Sequence, residues 1–234
     1  MMDEREWLKA THPHAMIDYL RGNGQASPRK LRLFAVECCR RIWHLLTDER
    51  SWRAVEVAER YADGLVSNAE RIRAQRGAAQ FAAASSRLTV QGRLRRGIHS
   101  AEWSAADTAE RAATATRRIP EECRATAAMA TRAVDLSDGR ANSDEAGRQA
   151  ELLRDVFGPL PFRPVPIEPS WRTSAVMALA TSIYDERRFE DMPILADALE
   201  EAGCAPKEIL QHLRQREPIH IRGCWCLDRL LNKE

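Results

Sequence analysis

Six cysteines and six histidines carry most of the chemistry this chain could do, and their spacing decides what that chemistry is. The densest group lies near the C-terminus, in HIRGCWCLDRLL, where His220 and Cys224 are four residues apart. On a helix they would share a face, while Cys226 would sit about 200° round from Cys224. Cys204 and His212 can join them only through the fold. Zinc sites usually show ligand pairs such as C-x2-C, and none occurs here. The expectation is therefore no metal and no cofactor, with the cysteines acting as small apolar residues. Cys38, Cys39 and His44 read the same way, since Cys38 falls on an apolar stripe. His12 and His14 flank Pro13 and read as a helix N-terminal turn, with no third ligand nearby.

Nucleophilic catalysis needs a cysteine or serine beside a histidine and an orienting group. No local signature such as G-x-S-x-G is present, nor a phosphate-binding glycine loop. Carboxylates gather at Asp185-Glu186, Glu190-Asp191 and Asp197-Glu200-Glu201, in the pattern of solvated helix surface. The clearest polar signal is basic: Arg71, Arg73, Arg76, Arg87, Arg93, Arg95 and Arg96 occur without an intervening acid. Such a run can neutralise phosphates in a salt-dependent way, although Phe81 is the one aromatic residue inside it for base stacking.

The elements that must position these residues are helices. Alanine and arginine are abundant and β-branched residues sparse, a mix that favours helix over strand. Ser27 to Val66 reads as a hairpin of two amphipathic helices. Ser27 and Pro28 open the first helix, and Leu31, Phe34, Ala35, Cys38, Ile42 and Leu45 make its stripe. Thr47 or Asp48 restarts the chain, and Trp52, Val55, Ala58, Glu59, Ala62 and Leu65 carry the stripe to a stop at Gly64. Before the hairpin, Asp3 to Ala10 and Pro13 to Arg21 are short helices, the first with Trp7 and Leu8 turned inward.

Residues 67–157 are alanine- and arginine-rich, with helices from Ser67 or Asn68, from Ser100 or Ser104 to about Arg118, from Glu121 to Leu136 and from Ser143, and a weak stretch at Gln91 to Gly97. Alanine faces bury little area at about 25 cal/mol per Å², so this middle is expected to be a mobile helical arm. Gly158 to Pro169 is a proline-punctuated strap with Phe162, Val165 and Ile167 facing the core. Helices then follow from Ser170, around Ile194 to Leu199, from Lys207 to Leu213 and from about Arg222. The expected architecture is an all-α multi-helix bundle, with residues 1–66 as N-terminal core helices, 67–157 as the arm, and 158–234 as the strap and C-terminal helices packing on the core.

The net charge of +2 gives no whole-chain reason for a polyanion partner. No apolar run approaches the roughly 20 residues of a membrane helix, and the N-terminal MMDEREWLKATHPH lacks an apolar signal region. A cytoplasmic protein with reduced cysteines and no membrane partner is expected.

Three segments carry a resemblance. EREWL, RKLRLFAVECCRRIWHLLTDERSWRAVEVAERYADG, and the pair YDERRFEDMPILADALEEAGC with HIRGCWCLDRLL resemble a family of uncharacterised bacterial proteins abundant in planctomycete genomes. The likeness covers the first 66 residues and roughly the last 80, leaving the middle unmatched. It implies a bacterial, intracellular, helical protein and transfers no catalytic or binding residue. The preferred functional expectation is a non-enzymatic helical protein that binds another protein. A nucleic-acid-binding protein using Arg71 to Arg96 is the alternative, and an enzyme with a buried site at His220 and Cys224 is the third reading.

Overall fold

The computed structural model describes residues 2–90, 98–114, 119–138, 144–215 and 220–233. Among these the protein is all-α, with twelve helices, three short 3-10 turns and no strand. The chain forms two compact units, one of Lys9–Ala150 and one that joins Asp3–Leu8 to the chain from Glu151 onward.

The first unit is built on the hairpin. Helix α1 (Glu4–Lys9) precedes it and α2 (Pro13–Gly22) leads into it. Helix α3 (Pro28–Arg41) starts where Ser27 accepts a hydrogen bond from the Lys30 amide, and α4 (Glu49–Ala62) starts where Asp48 accepts one from the Arg50 amide. Both caps use a side-chain oxygen to satisfy an otherwise unpartnered N–H. The predicted first helix breaks early, because a 3-10 turn at Trp43–Leu45 takes its end. Leu31, Phe34, Cys38 and Ile42 are fully buried, as the stripe requires. Trp52 and Leu65, placed on the same stripe from sequence, stand 38% and 64% exposed instead. Arg40 pairs with the buried Glu59 at 2.7 Å, tying α3 to α4.

Helices α5 (Asn68–Val90), α6 (Ile98–Ala112) and α7 (Ile119–Asp138) do not form a separate arm. They pack on one another and on α3 and α4 within the first unit. Alanine makes this possible: Ala105, Ala109, Ala127 and Ala130 are buried where α6 and α7 meet their neighbours. Small side chains let backbones approach closely, so dispersion contacts replace the area that larger residues would bury. Arg41 holds the buried Glu145 with two forked hydrogen bonds of 2.7 and 2.8 Å, fixing the start of α8 (Glu145–Phe157) against α3. The stretch Gln91 to Gly97, the helix end at Arg118, Gly139 and the Ser143 cap lie outside the described residues.

The second unit contains α1, the last turns of α8, the strap, α9 (Ser174–Glu186), α10 (Met192–Glu201), α11 (Lys207–Leu213) and α12 (Trp225–Leu231). Its core gathers Val165 of the strap with Ile183, Tyr184, Leu195, Leu199, Ile209 and Leu227. Ser170 falls in a 3-10 turn, and Thr173 is the residue that caps α9, accepting from the Val176 amide. In α1, Trp7 is fully buried against the Phe162 ring at 5.9 Å, whereas Leu8 is turned outward and 60% exposed.

The close alanine packing has a measurable consequence. Ala109→Leu is expected to destabilise the protein by about 1–3 kcal/mol, because an inserted side chain has no space between the helices. Ala84→Leu, at an exposed position of the same unit, should stay within about 0.5 kcal/mol. Denaturant midpoints of the two variants check this.

Candidate metal centre

Four side chains of the second unit converge although they are far apart in sequence. Asp155 comes from the last turns of α8, His212 from the end of α11, and His220 and Cys224 from the segment leading into α12. One ligand atom from each lies within 4.8 Å of all the others, with His212 Nε2 at 3.1 Å from Cys224 Sγ and 3.5 Å from Asp155 Oδ1.

Local structure explains the placement. Helix α11 is two turns long, and its i, i+4 spacing sets Glu208 and His212 on one face. The backbone then reverses at Gly223, whose φ is +91°. That reversal puts Cys224 at the N-cap of α12, with its amide donating to the Ile221 carbonyl at 3.0 Å. The expected last helix forms, but it starts at Trp225 rather than about Arg222, so His220 and Cys224 meet across a turn rather than along a helix face. Cys226, the second residue of α12, is not among the four, and neither is Cys204. Asp155 binds this turn directly: Oδ1 accepts from His220 at 2.6 Å and Oδ2 from the Ile221 amide at 3.0 Å.

The four groups are shielded from water. Asp155, His220 and Cys224 are buried and His212 is nearly so. Burial drives the Cys224 thiol well up, helped by the Asp155 and Cys226 charges and opposed by backbone amides at Leu227 and Cys226. Burial also pushes His212 down to about 4, since desolvation outweighs the attraction of Asp155 at 3.5 Å and His220 repels a second charge. For His220 burial disfavours the charged ring, but the Asp155 hydrogen bond and charge prevail and its pKa is raised.

This geometry separates two chemistries. In a nucleophilic triad, acid and nucleophile face opposite nitrogens of the imidazole. Here Asp155 and Cys224 face the same nitrogen, His220 Nδ1, at 2.6 and 3.8 Å. The Cys224 thiol is also fully buried with a raised pKa, which makes it a poor nucleophile. Convergence of four lone pairs on one point is instead what a tetrahedral metal requires. Ligands about 2.0 Å from such a metal are roughly 3.3 Å apart, and a nitrogen–sulfur pair about 3.5 Å. The separations of 3.5 Å for His212–Asp155, 3.1 Å for His212–Cys224 and 3.8 Å for His220–Cys224 sit close to those edges.

The expectation of no metal centre thus meets a ligand set that spacing did not reveal. Asp155 gave no signal at all, being one acid among several on an amphipathic helix. Of the other candidates, His12 is an exposed N-cap residue and His14 reaches the Arg124 carbonyl at 3.2 Å. Cys38 and Cys39 are buried with thiols pushed up by burial, while His44 is exposed. Asp197 and Glu200 share Arg214 on the surface, and Asp191 pairs with Arg188.

The basic run divides. Arg71 is buried, donating to the Ala113 carbonyl and to Asn68, and lies over the Tyr61 ring, as Arg32 does. It is absorbed by the fold, whereas Arg73 and Arg76 are exposed on α5. The Arg87 side chain and all of Arg93, Arg95 and Arg96 lie outside the described residues. No helix among the described residues is long and apolar enough to cross a membrane. Compared with family models, curated proteins and solved structures, the chain finds no match.

Two predictions follow from these contacts. Gly158 ends α8 with φ +53°, and an added Cβ would collide with the Trp225 ring, which lies 5.0 Å from the His212 ring. Gly158→Ala should cost upward of about 1 kcal/mol in denaturant unfolding, through both strain and displacement of Trp225. In metal-free protein the two imidazoles also act oppositely on stability. His212 stays neutral down to about 4, against 6.5 in the unfolded chain, so stability falls as pH drops through that window. His220, raised above 6.5, contributes stability that is complete below 6.5 and fades as pH rises through its folded value. His212→Gln should flatten the acid side of the stability profile, measured by unfolding midpoints in the presence of a chelator.

Proposed function

We propose that the protein binds one transition-metal ion, zinc foremost, through Asp155, His212, His220 and Cys224, and that the ion organises the C-terminal unit. The observation that carries this reading is the meeting of four ligand atoms, from three separate stretches of chain, within 4.8 Å of one another. A thiolate, two imidazoles and one carboxylate suit zinc, whereas calcium and magnesium select oxygen donors. Four protein ligands, three of them buried, complete a tetrahedral shell, as in structural rather than hydrolytic zinc sites. The Ile221 amide on Asp155 Oδ2 supports the reading further, because it orients the carboxylate so that Oδ1 turns inward. A metal held this way ties α8, α11 and the start of α12 together, which fits a protein that acts by binding rather than by turnover.

Purified protein stripped with a chelator and reloaded with zinc should hold about one zinc per chain by elemental analysis. Chelation should lower the thermal midpoint by several degrees, because a ligand that binds the folded state alone stabilises it by mass action. Cys224→Ser and His220→Ala should each reduce metal affinity by about tenfold or more. Wild-type protein that takes up no zinc, and whose midpoint ignores the chelator, would overturn the proposal.

A further inference from the structure

We propose that a cavity beside this centre is the port through which the metal is delivered, with Glu151 and Glu208 drawing a hydrated divalent cation toward the Asp155–His212 edge; the proposal rests on the metal reading above. The cavity, of about 380 Å³, lies within the second unit. Asp155 and His212 form part of its wall, whereas His220 and Cys224 do not. An ion that comes from this side therefore crosses the Asp155–His212 edge. His212 is the least fixed of the four ligands. Its side chain is 13% exposed, against 3% for Asp155 and 4% for His220. Among the described residues nothing bonds its Nδ1, and its ring is held by packing, 4.8 Å from the His220 ring and 5.0 Å from Trp225. Once the ion is bound, the four donors close its shell. The cavity supplies a route and no further ligand.

The wall is built in pairs. Glu151 precedes Asp155 by four residues on α8, and Glu208 precedes His212 by four on α11. Each inner ligand thus has a carboxylate one turn before it on the same helix face. All four line the cavity, and Glu151 and Glu208 are partly exposed where Asp155 is buried. The cations on this wall do not offset the acids. Arg163 is shared by Glu4 and Glu208, at 3.0 and 2.6 Å. Arg154 donates to the Trp7 carbonyl and is influenced by the Glu151 charge. With Arg154 set against Glu151, and His220 against Asp155, the Glu4–Arg163–Glu208 group still leaves one negative charge. A concave wall of that sign raises the local concentration of cations and speeds their arrival. Each protein donor that then binds the ion replaces one of its waters. The protons on Cys224 and between Asp155 and His220 pass to solvent.

The test follows cobalt(II), a spectroscopic stand-in for zinc, as it loads full-length metal-free protein at low ionic strength, with the growth of the cobalt–thiolate bands as the readout. Glu151→Gln should slow loading by about threefold or more, and Arg154→Gln should speed it by about the same factor, while both variants still bind one cobalt per chain. A merely structural change would not give opposite signs. Glu201→Gln, at an exposed acid that ends α10, should load at the wild-type rate. The differences should shrink as ionic strength rises from about 0.01 to about 1 M, over which the screening length falls from roughly 30 to roughly 3 Å. Should Glu151→Gln fail to fold, Glu208→Gln takes its place, with the same slowing expected. Wild-type rates in both Glu151→Gln and Arg154→Gln, or slowing in both, would overturn the port and leave the metal site standing. Absence of cobalt–thiolate bands in the wild-type protein would instead overturn the metal reading.

Discussion

A carboxylate in a protein interior has to be met by donors, since an isolated buried charge is far too costly to keep. The second unit is arranged round that constraint at Asp155. Its two oxygens face different structures: Oδ2 takes the Ile221 amide and Oδ1 takes the His220 ring. Those two bonds join the last turns of α8 to a segment some 65 residues later in the chain. They also set the entry angle of α12, because Ile221 accepts from the Cys224 amide and Cys224 caps that helix. Trp225, the first residue of α12, then packs on His212 and over Gly158. Remove the carboxylate and the His220 ring, the turn and the start of α12 lose their common anchor.

The first unit solves a different problem. It has few large apolar residues in α5 to α7, so it cannot rely on bulk to bury area. Close approach of alanine-lined helices takes the place of bulk, and bidentate or buried ion pairs at Arg41–Glu145 and Arg40–Glu59 fix the helices in register. Arg32 and Arg71 extend the same theme. Both are buried, both have pKa values lowered first by desolvation, and both lie over the Tyr61 ring. Their guanidinium groups donate to the Thr114 and Ala113 carbonyls at the end of α6, where the helix dipole favours positive charge. Arginine therefore serves here as a helix cap and packing group.

This contrast shows what was legible in the sequence. Local signals worked: Ser27 and Asp48 cap α3 and α4 because their side chains compete for nearby amides, which depends on neighbouring residues alone. Amphipathic stripes predicted the helices, but not which alanine faces would meet, so the middle of the chain read as an arm. Charge patterning could not tell a solvated Arg73 from a buried Arg71, because both occupy the same run. The convergence of Asp155, His212, His220 and Cys224 was hidden for a related reason. A buried carboxylate and one facing water look alike on an amphipathic helix, and Asp155 follows Arg154 as any surface acid might. His220 and Cys224 are visible in the sequence as a pair four apart, but their spacing does not reveal the turn at Gly223 across which they meet.

The same distances explain how a proton and a metal compete for one place. Three separations within the ligand set, of 3.1, 3.5 and 3.8 Å, are close to tetrahedral edges, whereas Asp155 and His220 are closer, at 2.6 Å, than the roughly 3.3 Å that two metal ligands keep. A shared proton draws that pair together in the metal-free protein and satisfies the carboxylate that would otherwise be alone. A metal held by Asp155, His212, His220 and Cys224 would take the place of that proton and supply the charge compensation for the carboxylate. Burial meanwhile disfavours the thiolate at Cys224 and the charged ring at His212, so without a metal the only charge left to compensate is the Asp155 carboxylate. The Asp155–His220 contact thus keeps the proposed ligands gathered without an ion, with the shared proton standing where a metal would bind.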